Sequence, residues 1–153
     1  MRGEGPIRHA GLIAVRVGGY WRGVLVEGPS GAGKSDLALR ALDDGFTLVA
    51  DDRVVLWTSG GRLFGRAPDT LSGRLEVRGL QVIDVPALPL AEVALVARCA
   101  GPDGLAERIP QAAFAEILGV SVPLLEIDAM QGSTPAKLRR ALSHFDGADK
   151  RRI

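Results

Sequence analysis

The chain has 153 residues, enough for one domain with a sizeable hydrophobic core. Its 19 Lys and Arg residues nearly balance its 18 Asp and Glu residues, so the charge indicates neither nucleic acid nor a membrane surface as a partner. No apolar run reaches transmembrane length, and the single cysteine, Cys99, excludes an internal disulfide. We therefore expect one domain in the reducing cytoplasm.

Two strands joined by a tight turn open the predicted fold. Residues 12–17 alternate in hydropathy, Gly18-Gly19 is a hairpin signal, and residues 20–27 form the returning strand. His9 lies just before this pair. From its position alone, a lone histidine at a strand start is more often a surface residue than a catalytic one.

A glycine-rich loop follows the second strand and precedes a predicted helix over residues 35–43. It matches the phosphate-binding pattern G-x-x-x-x-G-K-[ST] and consists of Gly28, Pro29, Ser30, Gly31, Ala32, Gly33, Lys34 and Ser35. The glycines allow backbone N–H groups to approach a phosphate. Lys34 is placed to reach the β- and γ-phosphates of a nucleotide, and the Ser35 hydroxyl to ligate Mg²⁺. The strand–loop–helix context supports a nucleotide site.

An apolar strand over residues 46–50 ends at Asp51-Asp52. Consecutive residues of a strand point to opposite faces, so one carboxylate could approach Mg²⁺ while the other faces a nucleophile. The spacing alone is equally compatible with an ordinary turn before the next strand.

The rest of the chain predicts mostly short strands and few helices. Glu76 and Arg78 share a strand face, where they form either a surface ion pair or a site for Mg²⁺ and phosphate. Helices are predicted over residues 112–118 and from Ser133 or Thr134 onward. We expect an α/β fold: a single P-loop domain over residues 1–145 with a mixed, curled sheet, and a basic, disordered tail over residues 146–153.

Several segments together resemble the catalytic domain of HPr kinase/phosphorylase, a bacterial protein-serine kinase. The matching segments are H-A-G from His9, the loop 28–36, L-V-A-D-D-R-V over residues 48–54, L-E-V-R-G-L-Q-V-I-D-V over residues 75–85, and a weaker echo at Glu107-Arg108. The resemblance runs over most of residues 8–130. It implies a fold related to phosphoenolpyruvate carboxykinase-like P-loop proteins, ATP and Mg²⁺ as cofactors, and an HPr-like phosphocarrier protein as partner.

The resemblance also implies roles for individual residues. Asp52 would be the general base toward the acceptor serine, and Ser35 and Glu76 would ligate Mg²⁺, with Asp51 beside them. The residues implied to support phosphoryl transfer are Lys34, His9, Arg78 and Arg108. Because family members assemble as hexamers, a homo-oligomer is expected.

Differences from the family pattern limit what the resemblance implies. Longer members carry an N-terminal domain, so this chain resembles a short, catalytic-domain-only form. Residues 118–123 replace a basic G-R-N stretch that is tied to the reverse, phosphorylase reaction, so we expect a kinase with weak phosphorylase activity. Two alternatives remain open: a small-molecule kinase using the same loop, and a non-catalytic nucleotide-binding regulator.

Overall fold

The structure, a computed structural model, describes residues 6–100 and 113–151, the last six of these by backbone alone. Within this part of the chain there are two α-helices, α1 (Lys34–Asp43) and α2 (Thr134–Arg151). The strands are β1 (Ile7–His9), β2 (Gly11–Val17), β3 (Tyr20–Glu27), β4 (Thr47–Ala50), β5 (Arg53–Ser59), β6 (Arg62–Arg66), β7 (Arg74–Val77), β8 (Gln81–Asp84), β9 (Ala91–Cys99), β10 (Ala113–Ile117) and β11 (Val120–Ile127).

Nine of these strands form one mixed sheet, and β7 and β8 form a separate hairpin. The main path through the sheet runs β1-β5-β6-β9-β3-β2-β4. The sheet branches at β9, whose first residues pair with β6 while its last four pair in parallel with β11. The mixed, curled sheet with few helices confirms the predicted fold class.

Four strands end at the same edge of the sheet. β3 and β11 both run parallel to β9, while β4 and β3 are each antiparallel to the β2 strand between them. The carboxyl ends of β4, β3, β9 and β11 therefore lie along one edge, which we call the carboxyl edge. β2 begins at this edge, since Gly11 pairs with Val26 near the end of β3.

The central strands are buried on both faces. Along β2, Leu12 belongs to one hydrophobic cluster and Ile13 to the other, as expected from the two-residue period of a strand. One cluster packs the sheet against α1 and α2 through Leu37 and Leu138. The second fills the inside of the curl, where a Cβ on Gly65 would lie 2.8 Å from a methyl carbon of Leu12. A larger residue at this point of β6 would force the neighbouring methyl groups to move.

Two predictions about elements differ from the structure. The helix predicted over residues 112–118 is wrong, because Ala113–Ile117 is strand β10, paired antiparallel with β11. The final helix continues to Arg151, past residue 146 where the disordered tail was expected to begin. Neither helix in the described ranges is long and apolar enough to cross a membrane.

Candidate active site

The glycine-rich loop joins the carboxyl end of β3 to the first turn of α1. Gly33 is the N-cap residue of α1 with φ +96°, a left-handed conformation in which a side chain would be strained. Its carbonyl oxygen accepts the Leu37 N–H at 2.9 Å, which starts the helix. The first N–H groups of α1 and the positive end of its dipole therefore face the loop, an arrangement suited to an anion.

Lys34 curls back over the same loop. Its ammonium group donates to the carbonyl oxygens of Gly28 at 2.7 Å and Pro29 at 3.0 Å. These contacts hold the positive charge across the mouth of the loop, next to the N-terminus of α1. A phosphate bound by the loop would meet both the ammonium group and the helix N–H groups.

Asp51 links three separate elements at the carboxyl edge. Its Oδ1 accepts the Ser35 hydroxyl at 2.8 Å, and its Oδ2 accepts the main-chain N–H of Glu76 at 3.0 Å. The structure thus brings together the three residues predicted as metal ligands, although Glu76 reaches Asp51 through its backbone. The Glu76 side chain is exposed.

Asp52 differs sharply from its neighbour. It has φ +69° and a side chain that is 65% exposed, and its only ion pair among the described residues is a 4.0 Å contact with Arg53. Its carbonyl oxygen accepts the Ala10 N–H at 3.1 Å, while His9 pairs with Arg53 across β1 and β5. His9 and Asp52 therefore lie on adjoining backbone segments at the carboxyl edge.

The two predicted arginines are less informative. Arg78 is exposed in the turn that follows β7. Strand β7 ends at Val77, so Glu76 and Arg78 do not share a strand face as the sequence predicted. Arg108 lies outside the described residues, as does Glu107.

The oxygen atoms beside the loop fit a magnesium ion by their chemistry. Mg²⁺ is commonly held by one or two carboxylates and keeps several waters and phosphate oxygens as its other ligands. The Asp51 carboxylate, the Ser35 hydroxyl and the nearby Glu76 side chain are donors of this kind. In the ranges 6–100 and 113–145, no cluster of three or more His, Cys, Asp or Glu residues suggests another kind of metal centre.

Cys99 lies directly beneath the loop. The thiol is only 7% exposed, and its Cβ would be 2.8 Å from a Cβ placed on Gly28. Burial raises the pKa of the Cys99 thiol, the nearby Lys34 charge opposes that shift, and the Asp128 charge adds to it. This thiol therefore acts as a packing group and is neutral near pH 7.

One charged cluster at the carboxyl edge was missed by the sequence analysis. Glu27, the last residue of β3, is buried and contacts Arg8 of β1 at 2.6 Å and Arg98 of β9 at 3.4 Å. The sequence does carry a signal for this cluster, because a charged residue ends an apolar strand in V-L-V-E and again in L-V-A-R. Which strands would bring these charges together was not readable from either segment.

A glycine-rich loop between a buried strand and a helix, with carboxylates at the end of a neighbouring strand, is typical of proteins that bind nucleotide phosphates. A family profile described as the HPr Serine kinase C-terminal domain matches residues 7–92. The chain belongs to this family, which confirms the resemblance.

Individual relatives agree with that assignment. HPr kinase/phosphorylase of Clostridium tetani is 49% identical over 77 residues, covering 50% of this chain and 25% of that protein. HPr kinase/phosphorylase of Mycoplasmopsis pulmonis is 31% identical over 160 residues, covering 92% of this chain and 50% of that protein. The chain thus spans between a quarter and half of the length of these relatives.

A solved structure supports the fold. The HPr(Ser) kinase/phosphatase from Coxiella burnetii superposes with a TM-score of 0.80 at 24% identity, covering 95% of this chain and 99% of that one. The mixed, curled sheet with few helices is therefore a known architecture.

Proposed function

We propose that this chain is an ATP- and Mg²⁺-dependent protein kinase that phosphorylates a serine of an HPr-like phosphocarrier protein. The observation that carries the proposal is the 2.8 Å bond between the Ser35 hydroxyl and Asp51. It joins the glycine-rich loop to the acidic end of β4, which supports a single site for the groups proposed to bind phosphate and metal. The family names of the relatives supply the substrate class.

Binding and charge stabilisation are assigned to the loop. The N–H groups of residues 28–35 and the Lys34 ammonium group bind the β- and γ-phosphates and offset the charge that develops during transfer. Ser35, Asp51 and Glu76 would hold Mg²⁺, which would supply positive charge to neutralise part of the charge on the phosphates.

Asp52 is assigned as the general base. Its exposed carboxylate accepts the proton of the acceptor serine hydroxyl while the serine oxygen forms a bond to the γ-phosphorus and the bond to the bridging β–γ oxygen breaks. ADP leaves with that oxygen. His9, on the adjoining strand, is proposed to contact the transferring group, and Arg78 and Arg108 are proposed to assist. Homo-oligomeric assembly and a cytoplasmic location belong to the same proposal.

The test is transfer of labelled phosphate from ATP to an HPr protein, with the modified residue mapped by mass spectrometry. We expect label on one serine. Lys34→Ala should abolish transfer because it removes a charge from the β- and γ-phosphates, while the melting temperature stays close to that of the native chain. Unlabelled HPr, label on a residue other than serine, or full activity of Lys34→Ala would refute the proposal.

A further inference from the structure

The carboxyl edge continues beyond the groups that the proposed function uses. On one side of the glycine-rich loop, at the end of β4, are Asp51 and Asp52. On the other side, past β9, strand β11 ends at Ile127 and is followed by a turn over residues 128–131. We call this segment the β11 turn. The mechanism proposed above assigns it no role.

The β11 turn is held firmly in place. Asp128 accepts the Met130 N–H on its carboxylate at 3.0 Å and the Thr134 hydroxyl on its carbonyl oxygen at 2.7 Å. Arg40 of α1 donates to the carbonyl oxygens of Ala129 and Gln131. Since α1 also carries the end of the glycine-rich loop, this arginine ties the turn to the loop.

Met130 is the exposed apolar residue of this turn. Its side chain is 66% exposed although the preceding Ala129 is buried, and its sulfur is 2.8 Å from the position of a Cβ on Gly33. A single exposed apolar side chain is ordinary on a protein surface. The position of Met130 is unusual, however, because its thioether provides an exposed apolar surface directly beside the loop that would bind the phosphates.

The direction of a bound nucleotide follows from the two sides of the loop. The groups assigned to the metal and to the acceptor serine lie on the β4 side, so the γ-phosphate must point there. The nucleoside then extends toward the β11 side. The Asp128 carboxylate on that side disfavours a phosphate but is compatible with a neutral nucleoside.

We propose that Met130 is the apolar platform on which the base of the nucleotide rests. This inference rests on the proposed function and adds to it the position of the nucleoside. A thioether contact is adaptable and has no hydrogen-bonding pattern, so it distinguishes poorly between bases. We therefore expect GTP and UTP to bind within about threefold of ATP, because such a contact carries none of the polar discrimination that rejects an analogue.

The test compares two ligands that share phosphates but differ in the nucleoside. Binding of ATP and of inorganic tripolyphosphate, each with Mg²⁺, is measured by calorimetry. Met130→Ala should weaken ATP binding about tenfold through lost apolar contact, whereas tripolyphosphate binding should change less than about twofold. Met130→Leu should retain most of the ATP affinity, since it keeps a similar apolar volume.

A matched control is available on the β4 side. Leu80 lies in the turn between β7 and β8 and is 65% exposed, so Leu80→Ala removes a comparable apolar surface away from the β11 turn. Leu80→Ala should change neither the ATP affinity nor the tripolyphosphate affinity.

The outcomes separate this inference from the proposed function. If Met130→Ala weakened the binding of ATP and of tripolyphosphate equally, the platform inference would be wrong, because Met130 would then act only by supporting Gly33. An unchanged ATP affinity would also overturn it. If the native chain bound tripolyphosphate with the full affinity of ATP, no base platform would exist, although the loop would still be a phosphate site. If it bound neither ligand, the proposed function itself would fail.

Discussion

Asp51 and Asp52 are adjacent residues that differ in backbone conformation, exposure and contacts. Asp51 is partly buried and accepts two hydrogen bonds, one from Ser35 and one from Glu76. Asp52 is exposed and has φ +69°, a conformation that only glycine, Asn and Asp adopt at little cost. From the spacing alone, the two carboxylates could belong either to an ordinary turn or to a catalytic pair. Their hydrogen bonds, which depend on elements far along the chain, distinguish them.

We expect Asp52→Asn to lower turnover about 10²-fold or more while leaving affinity for Mg²⁺-ATP nearly unchanged. Asparagine tolerates the same backbone conformation and keeps the shape of the side chain, so the substitution isolates the loss of the base. Steady-state kinetics with an HPr substrate, together with calorimetric ATP binding, measure the two quantities.

Asp51→Asn is the matched comparison. It replaces one of the two accepting oxygens by an N–H donor, so we expect weaker Mg²⁺-ATP binding and a loss of about 1–3 kcal/mol in unfolding free energy. Should Asp52→Asn instead show the binding defect and Asp51→Asn only the turnover defect, the two roles are reversed.

The Cys99 thiol gives a pH dependence of defined sign. Burial raises its pKa in the folded chain above the ordinary value of 9.0, so the folded state binds the proton more tightly than the unfolded state. The contribution of the protonated Cys99 thiol to the free energy of unfolding is fully present below pH 9.0. It is lost as the pH rises from 9.0 through the pKa of the folded state. Cys99→Ala should therefore lose less stability than the native chain between pH 9 and pH 11, measured by urea unfolding at each pH. Parallel pH profiles would exclude this assignment.

At the scale of elements, strand β10 shows where local sequence misleads. Residues 112–118 include three Ala, one Glu and one Leu, which favour a helix in isolation. The segment instead pairs with β11 across a tight turn in which Leu118 has φ +50° and Gly119 φ +79°. Two positive φ angles are typical of a hairpin turn, and pairing across it outweighs the helix preference. The hairpin at Gly18-Gly19 was predicted correctly because two consecutive glycines between two apolar segments are a local turn signal.

The contact between β1 and β3 is the element-scale feature with the clearest energetic consequence. Glu27 is buried and Arg8 reaches it from β1, the short strand that also carries His9. We expect Arg8→Met to lower the unfolding free energy by about 1–3 kcal/mol, because it takes away a close partner of a buried carboxylate. The change is measured by chemical denaturation.

Arg62→Met serves as the control for this prediction. Arg62 contacts Glu92 at 3.9 Å with a side chain that is 68% exposed, so its removal should change stability by less than about 0.5 kcal/mol. A loss for Arg62→Met as large as that for Arg8→Met would show that burial of Glu27 is not the cause.

At the scale of the whole molecule, the sequence was sufficient for the loop, most strands and the fold class, but not for the path of the sheet. The loop and its flanking elements are contiguous in sequence, and their pattern is local. The branch at β9 depends on pairings between segments more than 25 residues apart, as Leu124 opposite Val96 illustrates. No single segment encodes such a pairing. Only the structure therefore shows the order in which the strands end along the carboxyl edge. That order decides which strands lie on either side of the glycine-rich loop.

The direction of the proposed reaction is a property of the whole site. The reverse reaction must bind phosphoserine and inorganic phosphate, which calls for cations beyond the loop lysine. The hairpin turn at residues 118–120 and the Ser121-Val122 pair that follows it offer no cation. Of the cations on α2, Lys137 contacts Gln131, and Arg139 donates to the Asp44 carbonyl oxygen.

We therefore expect measurable kinase activity with much slower phosphate-dependent dephosphorylation. The forward reaction needs fewer cations, because ATP arrives with its Mg²⁺ and places its phosphates on the loop. Serine-phosphorylated HPr is incubated with the enzyme and excess phosphate at neutral pH, and loss of the label is compared with the forward rate. Equal rates would refute the expectation and direct attention to Arg140, which is exposed on α2. In that case Arg140→Gln should slow the reverse reaction more than the forward one, since only the reverse reaction has to bind free phosphate.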